Sequence, residues 1–279
     1  MELGRIGIWS GELRRAEAAA AVQAARELET LGFGALWLPG GRDGKIFECA
    51  RALLAATSHV VIATGIVSIW ETTPADVAAA YHALATDFPG RFLLGLGVSH
   101  GRDKTFDAMT AFLDGLDSAP NPVPAADRVL AALGPRMLRL ARDRAAGAHP
   151  YNVPVSHTQH ARAVLGTQAL LAPEQAVILE SDPARAREIA RQFLGFYMKA
   201  PNYTNNFLRE GFNSGDLENG GTDRLIDAIV AWGDSAAAQA RVQAHLDAGA
   251  NHVCIQAVTA NRDALPLAEW RMLATALIA

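Results

Sequence analysis

Phe92-Leu-Leu-Gly-Leu-Gly-Val-Ser-His100 is an apolar strand that runs into two glycines, then a serine and a histidine. Glycine inside a strand marks a place where something approaches the backbone closely, so Gly95 and Gly97 imply such an approach. Ser99 and His100 fall where the strand ends, the position at which ligands dock in parallel α/β folds.

Working outward, the same plan repeats: strand, small-residue turn, helix. Apolar runs at residues 5–9, 35–38, 60–66, 92–97, 128–133, 148–153, 175–181 and 252–258 read as strands. Residues 60–66 are rich in β-branched side chains and free of charge, as in strands buried on both faces of a parallel sheet. Helical spacing predicts helices over 15–31, 46–57, 73–88, 104–116, 135–146, 158–165, 183–198, 225–232, 235–248 and 267–278. Gly32 and Gly249 stand where C-terminal caps are expected, and Pro74, Pro135 and Pro183 sit in first turns. Residues 119–124 form a proline-rich linker, and 201–222, rich in Asn and Gly, fit no single element. Eight strand–helix units within one domain, residues 1–279, predict a (β/α)₈ TIM barrel. A doubly wound sheet is the alternative. It loses because Gly95 and Gly97 are followed by His100 where a G-x-G-x-x-G fingerprint needs its third glycine, and because they follow the fourth strand instead of the first.

Half of the 279 residues are hydrophobic, enough for a large core, and 19% are charged, with a net charge of −4 and no block of like charges. Nothing there suggests a nucleic-acid or anionic-membrane surface. No apolar run reaches the roughly 18 residues of a membrane span. Cys49 and Cys254 lie far apart in apolar stretches and read as buried free thiols, which with no leader-like N-terminal segment points to the cytoplasm.

The predicted strand ends carry Trp9-Ser10, Leu38-Pro39, Gly65-Ile66, Val98-Ser99-His100, Leu133-Gly134, Asn152-Val153, Ser181 and Gln256. Paired carboxylates for glycoside hydrolysis are missing, and so is a set of metal ligands. His157 and His160 share a helix face at i, i+3 but lack a third ligand motif, so no metal is expected. A wall of small and apolar groups with one titratable residue, His100, suits a flat aromatic cofactor that carries its own reactivity. Gly134-Pro135 and Ser156-His157-Thr158 open helices directly after strands five and six. Two readings stand for them: a shared phosphate grip at two helix N-termini, or an ordinary turn and an ordinary cap. Trp37, in mid-strand, reads as core, and Trp70 as a residue able to stack on a ring.

Five stretches resemble the bacterial-luciferase-like family of flavin and deazaflavin oxidoreductases, and most of all its branch that uses coenzyme F420. They are Leu31-Gly-Phe-Gly-Ala-Leu-Trp37; Leu54-Ala-Ala-Thr57 with Ala63-Thr-Gly-Ile66; Pro89-Gly-Arg-Phe-Leu-Leu-Gly-Leu-Gly-Val-Ser-His100; Leu130-Ala-Ala-Leu-Gly-Pro-Arg-Met-Leu138 with Gly147-Ala-His-Pro-Tyr151; and Leu246-Asp-Ala-Gly-Ala-Asn-His-Val253. The resemblance implies a luciferase-like barrel, a homodimer, and F420 or FMN at the C-terminal ends of the strands. It implies a bulge after strand three, at Gly65-Ile66, often with a non-prolyl cis peptide, under the cofactor ring. Gly97, Val98 and Ser99 would border the ring, His100 would move a proton, and Leu133, Gly134, Pro135, Asn152, Val153, Ser156 and His157 would line the phosphate side. The implied activity is hydride transfer between F420 and a small organic substrate. An FMN-dependent monooxygenase and a non-catalytic cofactor-binding homologue are the alternatives. Two departures stand out. Pro39-Gly40-Gly41 replaces the acidic residue and histidine common at the end of strand two. Arg102-Asp-Lys104 leads straight into a helix, so the insertion loop there is short.

Overall fold

The structure is a computed structural model that describes residues 1–41, 43–99 and 104–278. Its strands are β1 (Ile6–Trp9), β2 (Ala35–Leu38), β3 (Val61–Thr64), β4 (Val67–Ser68), β5 (Phe92–Gly97), β6 (Arg128–Leu130), β7 (Gly147–Ala148), β8 (Leu170–Leu171), β9 (Glu174–Ile178), β10 (Ala231–Trp232) and β11 (Val253–Ala257). All pairings among them are parallel, in the order β10-β9-β11-β1-β2-β3-β5-β6-β7-β8, with β4 beside β5.

The curled sheet comes round on itself. Only Ala172 and Pro173 separate β8 from β9. The Leu171 carbonyl accepts from the Asn251 backbone N–H at 2.9 Å, and the Pro173 carbonyl accepts from Cys254 at 2.9 Å. One run, 170–178, therefore pairs with β7 on one side and β11 on the other. That gives eight positions around a TIM-barrel-like ring, with β4 and β10 as additions. Side chains alternate as a pleat demands: Ile6, Ile8, Leu36, Leu38, Leu94 and Leu96 pack outward against the helices, while Trp9, Ala35, Trp37, Ala63, Leu93, Val129 and Cys254 fill the interior.

Several expected elements have different limits. The helix expected over 15–31 runs from Ala18 to Thr30, and a separate short helix Gly11–Arg15, capped by Ser10, precedes it. Gly32 follows at φ +92°, the left-handed end-cap conformation that favours glycine. The expected helix at 158–165 spans Val155–Leu165, with Pro154 as N-cap. Ser156 is thus inside the first turn and does not cap it. Residues 201–222 do form structure, a helix Pro201–Arg209 and a 3₁₀ stretch Ser214–Gly220. The helix expected over 225–232 stops at Ile229, and Ala231–Trp232 is β10. The strands expected over 128–133 and 148–153 are three and two residues long. Cys254 is buried, but Cys49 is only half-buried, and both are free.

Candidate functional site

The approach to Gly95 and Gly97 inferred from the sequence comes from the chain itself. A Cβ on Gly95 would stand 1.8 Å from the Thr64 carbonyl oxygen, and one on Gly97 would stand 2.6 Å from Ile66 Cδ1. Past Ala63 the β3–β5 ladder stops, and the Thr64 hydroxyl takes over. It donates to the Gly95 carbonyl at 2.9 Å and accepts from the Gly95 N–H at 2.7 Å. The chain then bulges inward, and the Gly65–Ile66 peptide bond is cis. The Trp9 indole N–H donates to the Gly65 carbonyl at 3.1 Å. Gly40 closes the other side, since a Cβ there would lie 2.2 Å from the Ile66 carbonyl oxygen. The vacancy at the end of strand two therefore has a steric reason: the bulge occupies that place.

Beside the bulge, Val98 is half-buried and its carbonyl accepts from the Trp70 indole N–H. Ser99 is exposed, at φ +51°. His100, the expected proton-transfer residue, and the short segment 101–103 lie outside the described residues.

Beneath the bulge the barrel interior holds polar groups. His149 stacks on Trp37 with centroids 4.3 Å apart. Its Nδ1–H donates to the Ala172 carbonyl at 2.7 Å, which leaves Nε2 as a bare acceptor, 2.9 Å from where a Cβ on Gly65 would stand. Burial pushes its pKa down to about 4. His252 Nδ1–H donates to Gly4 O at 2.8 Å, and its Nε2 accepts from the Trp37 indole at 3.1 Å. It too is held neutral by burial, near 4. Trp37 is core, as its mid-strand position predicts.

Glu174 escaped the sequence reading. It opens β9, is 1% exposed, and accepts from the Asn152 N–H at 3.1 Å through Oε2, while Oε1 has no partner. Burial pushes its pKa up to about 8, with the Asn152 N–H pulling the other way. The group is therefore mostly a neutral acid at pH 7. Next to it, the Tyr151 hydroxyl donates to Gln256 Oε1 at 2.9 Å, and the Tyr151 ring packs on Trp9, Tyr197 and Tyr203. The only signal in the sequence was an acid inside an apolar run.

The two expected anion turns do converge. His157 Nε2–H donates across to the Leu133 carbonyl at 2.9 Å, so the turn after β6 touches the helix Val155–Leu165. Gly134 and Pro135 lie on that turn as N-cap and first residue of the helix Pro135–Arg144. Arg209 Nη2 is 3.7 Å from where a Cβ on Gly134 would stand. Its Nη1 donates to Asn206 Oδ1 at 2.9 Å. Asn152, at φ +52°, and Val153 are buried just before the helix. The Ser156 hydroxyl, however, donates to Glu210 Oε2 at 2.7 Å.

Buried polar atoms are nearly always paired in native structures. Nine side-chain atoms among the described residues are not, and six of them are here: His149 Nε2, both side-chain polar atoms of Asn152, His157 Nδ1, Glu174 Oε1 and Asn206 Nδ2. Donors and acceptors left unpaired from the barrel interior out to an arginine and a helix N-terminus suit a ligand with an anionic end and several polar groups. No group of metal-ligating side chains is found among the described residues, and no described helix is long and apolar enough to cross a membrane.

Residues 4–105 match the family profile described as luciferase-like monooxygenase. Over those residues the resemblance to the luciferase-like family drawn from the sequence is borne out. Among solved structures, the chain is similar to an F420-dependent secondary alcohol dehydrogenase in complex with an F420-acetone adduct (14% identity, TM-score 0.74, 99% of each chain covered). It is also similar to a coenzyme F420-dependent tetrahydromethanopterin reductase from Methanopyrus kandleri (15%, 0.74, 99% of each). A third is the oxygenating constituent of 3,6-diketocamphane monooxygenase from Pseudomonas putida, in complex with FMN (12%, 0.68, 98% of each). At these identities the likeness concerns the luciferase-like barrel fold. No curated protein sequence matches.

Proposed function

We propose that this protein is an F420-dependent oxidoreductase that passes a hydride between the deazaflavin and a small organic substrate, as a homodimer in the cytoplasm. The observation that carries the reading is the set of six unpaired polar atoms in the barrel interior and along the turns above it. The residues fit such a group. Ile66, Gly97, Val98 and Ser99 form a largely apolar seat for a ring. Asn152 and Asn206 offer unpaired amides to polar groups along a side chain, and His157 offers an unpaired acceptor. Leu133, Gly134, Pro135, Val153, Ser156 and Arg209 surround a place for a phosphate. When bound, F420 supplies a carbon centre that accepts or gives a hydride.

The chain's own part is to orient, to keep water out and to manage a proton. Trp9 holds the bulge by its carbonyl, which fixes the height of the seat. Glu174 keeps a proton at neutral pH within a ring of tyrosines and is a store for one. His100 is the proposed exchange group at the end of β5. Titration of the purified protein with oxidised and reduced F420, followed by fluorescence, tests the reading. Saturable binding at micromolar concentrations is expected, and no binding of either form at tens of micromolar would sink it. The match to a luciferase-like monooxygenase profile favours FMN as the second reading. Protein that purifies with a yellow, fluorescent flavin would decide for it.

A further inference from the structure

Glu210 stands on the anion turn in a way that the barrel does not require. Its side chain is only 2% exposed. It accepts from the Ser156 hydroxyl at 2.7 Å, and His160 Nδ1 lies 3.1 and 3.2 Å from its two oxygens. It is also the C-cap of the helix Pro201–Arg209. A carboxylate at a helix C-terminus is unfavourable, whereas one along a first turn is favourable. Ser156 is in the first turn of Val155–Leu165, so that second helix is what keeps Glu210 in place.

The next residue back, Arg209, faces Gly134. Arg136, near the same turn, is engaged over the Phe106 ring at 4.2 Å. His157, 1% exposed and with its Nδ1 unpaired, lies near enough to Arg209, Glu210 and His160 for all three to act on its charge. One arginine and one carboxylate on a turn leave no net charge from the pair. Such a turn tolerates a single negative charge through its N–H groups and Arg209. A second negative charge exceeds what Arg209 balances and meets the Glu210 carboxylate, with the His160 ring beside it.

We propose that Glu210 sets the charge class of ligand at this turn, favouring a phosphodiester, with one negative charge, over a phosphomonoester, with nearly two. The inference rests on the function proposed above. F420 carries a phosphodiester and FMN a phosphomonoester, so Glu210 acts as a specificity residue for the cofactor. The carboxylate stays in place, anchored by Ser156, while the anion takes the Arg209 and Gly134 side.

The test is equilibrium binding of F420 and FMN, read by fluorescence, to the wild-type protein and to E210Q, which keeps an acceptor for Ser156. Wild type should bind F420 more tightly. E210Q should strengthen FMN binding more than F420 binding and narrow the ratio by about tenfold or more. In wild type, FMN affinity should rise relative to F420 as pH falls through about 6, where a phosphomonoester gains a proton. An unchanged ratio in E210Q, or a wild-type ratio that ignores pH, overturns the role of Glu210 alone. The pH arm needs no variant and stands if E210Q fails to fold. Failure of both proteins to bind either cofactor overturns the proposed function, and the preference with it.

Discussion

Thr64 does with one hydroxyl what a strand residue does with two backbone groups. At the point where β3 leaves β5, its Oγ1 serves both the N–H and the carbonyl of Gly95. Thr64→Val keeps the shape and removes both bonds, leaving two buried backbone groups unpaired. A loss of about 2–5 kcal/mol in urea denaturation is expected, while Thr64→Ser should keep most of the stability. A Thr64→Val protein as stable as wild type would show that the hydroxyl is dispensable. Gly95→Ala sets a Cβ against the Thr64 carbonyl, which is backbone and cannot swing away, so loss of soluble folded protein is expected. Gly97→Ala meets the Ile66 side chain at 2.6 Å, which can swing aside, and the Ala131 Cβ at 3.1 Å, a milder contact. It should fold and instead weaken binding of the proposed cofactor, measured by the same fluorescence titration.

Among the elements, the Gly-Arg-Phe motif has a structural explanation. Arg91 donates to the carbonyls of Leu54, Thr57 and Val60 and to the Thr57 hydroxyl, which ties the end of the helix Ile46–Ala56 to the start of β3. From the other side Glu29 accepts the backbone N–H groups of Ser58, His59 and Val60. Arg91→Ala strands these carbonyls and should cost about 2–4 kcal/mol by denaturant midpoint. Arg91→Lys, a point donor without the guanidinium fork, should recover only part. Elements with strong periodicity and caps were legible: Pro74–Asp87 behind Thr73-Pro74, β5 itself, and Ser235–Asp247 before Gly249. The helix Pro201–Arg209 was not. Its buried positions, Tyr203, Asn206 and Phe207, have helical spacing, but Asn and Thr are weak helix formers and nine residues give little pattern. That helix brings Arg209 to the turn at Gly134 and Glu210 to the first turn of the helix Val155–Leu165; both turns were legible from sequence, and the side chains brought to them were not. Glu174 was missed for a related reason. An acid in an apolar strand has no assigned side until the ring closes and turns it inward.

For the molecule as a whole, four buried groups shape the response to pH. His149, His252 and His245 are held neutral by burial, near 4, 4 and 3, against an ordinary 6.5. His245 is the hinge of a buried chain: Thr158 donates to its Nδ1 at 2.7 Å, and its Nε2–H donates to Gln175 at 2.9 Å. The unfolded chain protonates these rings below 6.5 and the folded one resists, so their contribution is present above 6.5 and is lost as pH falls toward 4. Glu174 runs the other way. Raised from 4.5 to about 8, its contribution is full below 4.5 and is lost as pH rises to 8. Between 4.5 and 6.5 three groups outweigh one, and above 6.5 only Glu174 of these four still titrates. Urea midpoints between pH 4 and 9 should peak near 6.5. Glu174→Gln should flatten the alkaline side and leave the acid side steep. A midpoint that rises steadily to pH 9 would contradict this assignment.

The ring closes through one run of chain and through the pairing of β1 with β11, Ile6 beside Val253. While the protein is being made, the far edge of β1 has no neighbour until residue 253 has left the ribosome. For most of synthesis the growing chain carries open strand edges at β1 and at its latest strand, with Trp9 and Trp37 uncovered inside an incomplete ring. Open apolar edges recruit other chains, and contacts this distant in sequence form slowly. Slow translation or a shortage of chaperones should therefore lower the yield of this protein more than that of a helical bundle of equal length.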